Sequence, residues 1–179
     1  MAPRLRDTSL GNGVYYARSD YVGFGRRTLI LAVDAFILAA MLFGLWLAFR
    51  IVGVPQFIFP TAAMLTAWLY LVVCKRSSWR TVGYVLTGCR IVNLQGERPS
   101  LFALTFRSLL WMFGPGVFFW DLLWSGIDED RKTLRDCYAG TYLINERAKP
   151  IGVGEIHLTY YDTGYLNPSY PHVTRPKAT

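Results

Sequence analysis

The chain has 179 residues, of which 53% are hydrophobic and 17% charged, and its formal net charge is +7. This length predicts one compact unit, and apolar residues grouped in long blocks favour a membrane protein over a soluble domain. Because the basic residues flank those blocks, the net charge does not indicate a nucleic-acid partner. An odd number of cysteines without CxxC spacing predicts free thiols rather than a disulfide or metal framework. These cysteines are Cys74, Cys89 and Cys137.

Two apolar runs follow a polar N-terminal segment, residues 1–20, which we expect to lie in the cytoplasm. The runs extend from Thr28 to Phe49 and from Phe57 to Cys74. We therefore predict transmembrane helices over about residues 28–50 and 57–74, since roughly 20 apolar residues cross a bilayer. No cleavable signal peptide is expected, because the first 25 residues are polar.

Asp34 is the only charged side chain in the first apolar run. An aspartate at the centre of a membrane helix costs about 2.5–3.5 kcal/mol on insertion scales, so such a residue usually faces a partner or a polar cavity. Arg27 precedes it by seven residues, nearly two helical turns, and therefore shares its helix face. These two residues are the first candidates for a functional or structural site.

Lysine and arginine are distributed unevenly around the two runs. Residues 1–27 hold five of them and residues 75–100 hold another five, whereas the connection 53–56 holds none. The positive-inside rule therefore predicts a cytoplasmic N-terminus and a cytoplasmic 75–100 loop, with a short turn on the outer side.

A third apolar stretch, Leu101 to Trp124, carries Gly114-Pro115-Gly116 at its middle. These residues break a helix, and each half is too short to span a bilayer. We predict a broken, re-entrant or interfacial helix over residues 101–125, because the basic segment that follows then stays in the cytoplasm. A single tilted span is the alternative. Ser100 is predicted to cap the start of this helix.

Two short strands, Cys89 to Leu94 and Thr141 to Ile144, are predicted to pair as a small cytoplasmic sheet. The expected fold class is therefore an all-α membrane protein: a two-span helical hairpin, a broken third hydrophobic segment and a small cytoplasmic β element.

Residues 150–179 form a tail rich in tyrosine and proline. Disordered segments are usually poor in aromatic residues, so we expect this tail to dock onto its own domain or onto a partner. Alternation of apolar and polar residues over 156–160 permits a short strand. The tyrosines predicted to contact a partner are Tyr160, Tyr161, Tyr165 and Tyr170.

Three segments of the chain carry a family pattern. They are GRRTLILAVDAF at 25–36, TVGYVLTGCRIVNLQGERPS at 81–100 followed by Arg107, and RKTLRDCYAGTYLI at 131–144. Together they resemble the RDD family of small prokaryotic integral membrane proteins. The resemblance implies a membrane domain, which we place at residues 21–149, in the bacterial inner membrane. It assigns the characteristic arginine and two aspartates to Arg27, Asp34 and Asp136.

The resemblance implies little about activity beyond a role in transport, with cation/proton antiport claimed for some members. Arg135 departs from the family, because many members have His or Gly before the second aspartate. A proton relay through that histidine is therefore not expected here.

We expect two cross-braces between the membrane helix and the cytoplasmic part. Arg27 and Asp34 lie about 10 Å apart along the helix, too far for a direct pair. Asp34 is therefore predicted to meet Arg107, and Arg27 to meet Asp136, in which case the charges are architectural. The alternative makes Asp34 an ion-coupling acid whose pKa responds to burial and to a nearby arginine.

The sequence contains no GxSxG, HExxH, P-loop or dinucleotide-binding pattern, so we do not expect an enzyme. Both histidines lie in the tail, and we expect no cofactor and no metal. We predict a non-catalytic accessory or structural subunit that docks on a larger inner-membrane complex. Its partners are membrane lipid and other membrane subunits or further copies of itself, but not nucleic acid. The alternative is an oligomeric cation/proton antiporter.

Overall fold

The fold combines a long helical hairpin with two small antiparallel sheets, in a computed structural model that describes residues 9–110, 121, 123–126, 128, 130–160 and 169–175. The helices are α1 (Phe24–Val52), α2 (Phe59–Trp68), α3 (Val82–Thr87), α4 (Leu101–Leu109) and α5 (Leu134–Ala139). The strands are β1 (Asn12–Tyr15), β2 (Cys89–Asn93), β3 (Thr141–Asn145), β4 (Gly152–Tyr160) and β5 (Ser169–Val173).

The hairpin consists of α1 and a second helical run, Gln56–Cys74, and both are long and apolar enough to cross a membrane. In each helix, only 11% of the most apolar 18-residue segment is buried within the chain, so most of the surface of both helices faces outward. α1 ends at Gly53, which adopts the left-handed conformation (φ 75°) that glycine tolerates. The second run continues from α2 into a π-helical segment, Leu69–Cys74, which shifts the helix register just before Lys75.

The prediction of an all-α membrane protein is wrong, because in the described part of the chain five strands form two antiparallel sheets. The two-stranded sheet pairs β2 with β3 and confirms the predicted pairing. The three-stranded sheet has the order β1-β4-β5 and was only hinted at by the alternation over residues 156–160. β1 has four residues and pairs with a strand about 140 positions later, from Asn12 against Glu155 to Tyr15 against Gly152. Because the partner is so distant, no local sequence pattern predicts this strand.

A tyrosine-rich core joins the N-terminal segment, the β2–β3 sheet and the tail. The rings of Tyr16, Tyr21 and Tyr142 meet edge to face, with centroids 5.5–6.3 Å apart, a favourable geometry for aromatic pairs. Ile156 and Val173 of the tail strands are buried in the same cluster. The segments 1–20 and 150–179, which the sequence separates, therefore contribute to one sheet and one core.

A second core attaches this part of the chain to the hairpin. Ile30 of α1 and Val72 of the second run pack with Tyr84, Leu104 and Leu143. β2 lies shortly before the third apolar stretch and its partner β3 lies after it, so the two-stranded sheet joins the parts of the chain on either side of that stretch.

The beginning of the third stretch is well defined. The Ser100 hydroxyl accepts a hydrogen bond from the Ala103 N–H at 3.0 Å, which confirms the predicted helix cap. Gly114-Pro115-Gly116 lies outside the described residues, as does most of the second half of the predicted broken helix. Asp121 and residues 123–126 are helical.

Candidate functional site

Asp136 is the centre of a fully buried charge cluster at the base of α1. The Arg27 guanidinium donates through Nη1 to one of its carboxylate oxygens at 2.6 Å. The Arg107 guanidinium approaches the other oxygen through Nη2 at 2.7 Å. Asp136 is also the third residue of α5, where it forms a reciprocal capping box with Thr133. One carboxylate thus joins α1, α4 and the first turn of α5.

Arg27 uses its whole guanidinium in this cluster. Besides the bond to Asp136, its Nε donates to the Val22 carbonyl at 2.9 Å and its Nη2 donates to the Arg131 carbonyl at 2.8 Å. The predicted Arg27–Asp136 brace is confirmed. A planar group with donors fixed in three directions holds the start of α1 against two other segments of backbone.

Asp34 occupies a different site. It lies on the same face of α1 as Arg27, about two turns further along the helix. Its carboxylate accepts hydrogen bonds from the Thr81 hydroxyl and the Gly83 N–H, both at 2.9 Å, and from the Tyr70 hydroxyl at 3.1 Å. Lys75 Nζ lies 3.8 Å away. Because Thr81 is the residue before α3 and Gly83 lies in its first turn, Asp34 satisfies the free N-terminal end of α3 from a neighbouring helix.

The prediction that Arg107 neutralises Asp34 is wrong. Arg107 instead contacts Asp136 and the Tyr84 hydroxyl, because α4 packs beside α5. The space next to Asp34 is taken by α3, which approaches α1 closely at Gly83. A Cβ at Gly83 would lie 2.6 Å from the Ile30 carbonyl oxygen, so only glycine allows this approach without a shift.

The family comparison agrees with this geometry. The RDD family model matches residues 21–140, two thirds of the chain, and this range includes Arg27, Asp34, Arg107 and Asp136. The chain belongs to the RDD family. Searches of curated proteins and of solved structures found no match. RDD membership and two apolar helices together indicate a membrane protein.

In this RDD chain the electrostatics of Asp136 favour the ionised carboxylate. Burial raises the pKa of Asp136, but the guanidiniums of Arg107 and Arg27 outweigh burial and hold the pKa well below its usual value of 3.8. Breaking one partner of a buried pair leaves an uncompensated charge, which is strongly destabilising. The arrangement therefore favours a paired, ionised Asp136.

Two further ion clusters, which the sequence did not reveal, extend this network. Asp121 accepts from the Arg135 backbone N–H and from its guanidinium, the latter at 2.5 Å. Asp130 is buried with Lys132, whose ammonium lies 3.3 Å from it and 5.2 Å from the centre of the Tyr142 ring, and it is also bonded by Arg175. In the sequence Asp130 belongs to a charged run and Asp121 interrupts an apolar stretch, so neither position indicates which basic residue pairs with it.

The tyrosines predicted to dock onto a partner have mixed positions. Tyr161 and Tyr165 lie outside the described residues, and Tyr160 is described only by its backbone pairing with Ser169. Tyr170 is 4% exposed, so its side chain packs within this chain and offers no free contact surface.

No cluster of metal-ligating residues is found among the described residues. The three cysteines are free thiols. Burial raises the pKa of the Cys137 thiol, which makes it a poor nucleophile.

Proposed function

We propose that this RDD protein is a non-catalytic integral membrane protein that serves as an accessory or structural subunit of a larger inner-membrane complex. The observation that supports this proposal is the Arg27–Asp136–Arg107 cluster. It fastens the hairpin to the strand-rich part of the chain with buried charges that satisfy one another. A rigid connection between a membrane anchor and a surface module suits a subunit that positions partners rather than one that performs a reaction.

The proposed topology has both hairpin helices crossing the membrane and the N-terminus in the cytoplasm. It is supported by the excess of basic residues before α1 and after the second run. The pairing of β2 with β3 also favours a third apolar stretch that returns to the side it entered. In this arrangement the two sheets form a module at the cytoplasmic surface.

The module presents apolar side chains that its own core does not use. Ile151, just before β4, and Val153, in β4, are each 63% exposed. Apolar residues that cluster on an exposed surface are typical of contact sites. In this proposal they belong to the surface that meets a partner subunit.

The test is purification of the tagged chain from its native membrane in a mild detergent, followed by native mass measurement. We expect a defined complex with a fixed ratio of other membrane subunits, and we expect Val153→Asp to release the chain from it. Val153→Thr, which keeps the shape and strand preference, is the matched control. Recovery of the wild-type chain as a monomer, or only as a homo-oligomer, would contradict the accessory role.

Cation/proton exchange through Asp34 is the second candidate. It is favoured by the Asp34–Lys75 pair, whose 3.8 Å separation is too long for a hydrogen bond and whose members line the same cavity. Inside-out vesicles with the wild type and with Asp34→Asn, at equal protein levels, would be compared for cation-driven proton movement. Equal responses would eliminate this candidate without affecting the first.

A further inference from the structure

A cavity of about 410 Å³ lies where α1, the end of the second helical run and α4 meet. This volume falls within the roughly 300–1,000 Å³ of typical small-molecule sites. Its two ends differ in character. Lys75, Arg107 and Arg135 line the part next to Asp34 and Asp136, whereas Leu38 of α1 and Leu71 of the second run line the part further along the hairpin.

The cationic end holds one buried donor that lacks an acceptor and one ammonium group without a close hydrogen bond. Arg107 is 7% exposed, and its Nε is buried with no hydrogen-bond partner in the described part of the chain. The Lys75 ammonium is 3.8 Å from the Asp34 carboxylate and 5.3 Å from the centre of the Tyr84 ring, and neither is hydrogen-bond geometry. A buried donor without an acceptor is costly, so an acceptor placed between these two groups would be favoured.

The charge around this end is positive. Four cations line the cavity, namely Arg27, Lys75, Arg107 and Arg135. The carboxylates that contact them are three, namely Asp34, Asp136 and Asp121. Arg27 and Arg107 share the single carboxylate of Asp136. Burial lowers the pKa of Lys75, and the charges of Arg107 and Arg135 lower it further against the opposing effects of Tyr84 and Asp34, so a bound anion would stabilise the ammonium.

The apolar end follows the hairpin into the region that faces lipid. Leu31 and Leu38 are half-buried, and Ala35 between them is exposed, so the cavity reaches the outer surface of α1. Leu38 lies eleven residues after Arg27, about 17 Å along the helix axis. This length extends from the headgroup level into the acyl region of a bilayer of about 30 Å hydrocarbon thickness.

We propose that this cavity binds one anionic lipid, whose phosphate is held by Lys75 and the Arg107 Nε–H and whose acyl chain lies along Leu31, Leu38 and Leu71. Charge-assisted hydrogen bonds to phosphate are the strong class of such bonds. Free phosphate could contact the same cationic groups, but only a ligand with an acyl chain would also contact the leucine side chains. The site does not depend on the accessory role proposed above.

The test uses the full-length chain purified in a neutral detergent. Binding of short-chain phosphatidylglycerol is titrated, and the same experiment is run with phosphatidylcholine of equal chain length and with inorganic phosphate. We expect one phosphatidylglycerol per chain in native mass spectra, with binding at least about tenfold tighter than that of either comparison ligand. Equal binding of phosphatidylcholine would refute the charge selectivity, and equal binding of phosphate would refute the role of the acyl chain.

Two variants probe the two ends separately. Lys75→Gln is expected to weaken phosphatidylglycerol binding about tenfold, because it removes one charge-assisted bond. Leu38→Trp fills the apolar end, leaves every charge in place and is expected to weaken binding similarly. The matched control is Lys149→Gln, an exposed lysine on the strand-rich module, which should leave binding unchanged. Unchanged binding in Leu38→Trp, or an equal loss in Lys149→Gln, would overturn the proposal.

Discussion

Asp34 and Asp136 are both buried carboxylates at one end of the hairpin, but they are held by different kinds of partner. Asp136 faces two guanidiniums, which carry a permanent charge and can only donate. Asp34 faces two hydroxyls and one backbone N–H, with an ammonium further away at 3.8 Å. Hydroxyl groups donate or accept as their surroundings require. The Asp136 site therefore needs a negative charge, whereas the Asp34 site needs mainly acceptors in the right places.

The largest loss of stability is expected for a substitution at Asp136. Asp136→Asn keeps the shape of the side chain but leaves Arg27 and Arg107 buried without a counter-charge. We expect the free energy of unfolding to fall by about 3–5 kcal/mol, as for other broken buried pairs. Reversible unfolding in mixed detergent micelles measures this loss.

The control for Asp136→Asn is Glu146→Gln. Glu146 pairs with Arg80 at 2.8 Å, but its side chain is 52% exposed. Exposed pairs contribute about 0–1 kcal/mol. Similar losses in the two variants would contradict the assignment of Asp136 as the main brace.

The contact between α1 and α3 provides the next effect. Gly83→Ala would place a Cβ 2.6 Å from the Ile30 carbonyl oxygen and 2.8 Å from the Asp34 carboxylate. We expect a loss of about 1–3 kcal/mol, the usual cost of overpacking. Gly44→Ala in the middle of α1 meets nothing within 4 Å and is the control. A Gly83→Ala chain as stable as Gly44→Ala would show that α3 does not hold Asp34 closely.

A smaller effect is expected for Asp34→Asn. The Thr81 hydroxyl can turn to accept from the new amide, while the amide oxygen keeps the Gly83 N–H. The main loss is the counter-charge of Lys75, and we expect about 1–2 kcal/mol. Adding Lys75→Gln should restore most of it, and a double-mutant cycle measures the coupling. A loss as large as that of Asp136→Asn would contradict the comparison of the two sites.

The smallest effect concerns pH and the tail. Lys132 Nζ lies 3.0 Å from His172 Nδ1, and because an ammonium can only donate, the imidazole accepts and is neutral. Burial, and then the charge of Lys132, lower the pKa of His172 below 6.5. As pH falls through 6.5 the unfolded histidine binds a proton that the folded one does not, so stability decreases below that pH.

The matching measurement is the unfolding midpoint at pH 7.5 and at pH 5.5. We expect a lower midpoint at pH 5.5 in the wild type and a reduced difference in His172→Gln. His157→Gln, which changes the more exposed histidine on β4, should retain the wild-type difference. Loss of the difference in His157→Gln alone would contradict the role of His172.

The sequence predicted the features that have a local signature. The two apolar helices follow from run length, the Ser100 cap follows from a hydroxyl before an apolar run, and the β2–β3 pair follows from two short strand-like segments. The Arg27–Asp136 pair was predicted from the family pattern and from the need to neutralise buried charge.

What the sequence did not predict depends on contacts between distant segments. Nothing near Asp34 indicates that α3 will supply its hydrogen bonds, although a threonine two residues before Gly83 is a typical start of a helix. In the sequence Asp130 looks like a solvated acid and Asp121 like an interruption of an apolar stretch, whereas in the fold Arg175 and Arg135 from other segments pair with them. The β1-β4-β5 sheet needs a partner strand far along the chain, and so no window of sequence shows it.

The position of β1 has a consequence for biogenesis. Gly13 and Gly154, which face each other in the β1–β4 register, are separated by both hairpin helices in the order of translation. In the proposed topology, the ribosome has not yet made the strand that β1 pairs with when the hairpin enters the membrane. Until that strand emerges, an unprotected strand edge remains beside the membrane, available to chaperones and proteases. The complete three-stranded sheet therefore forms only after synthesis has passed residue 173.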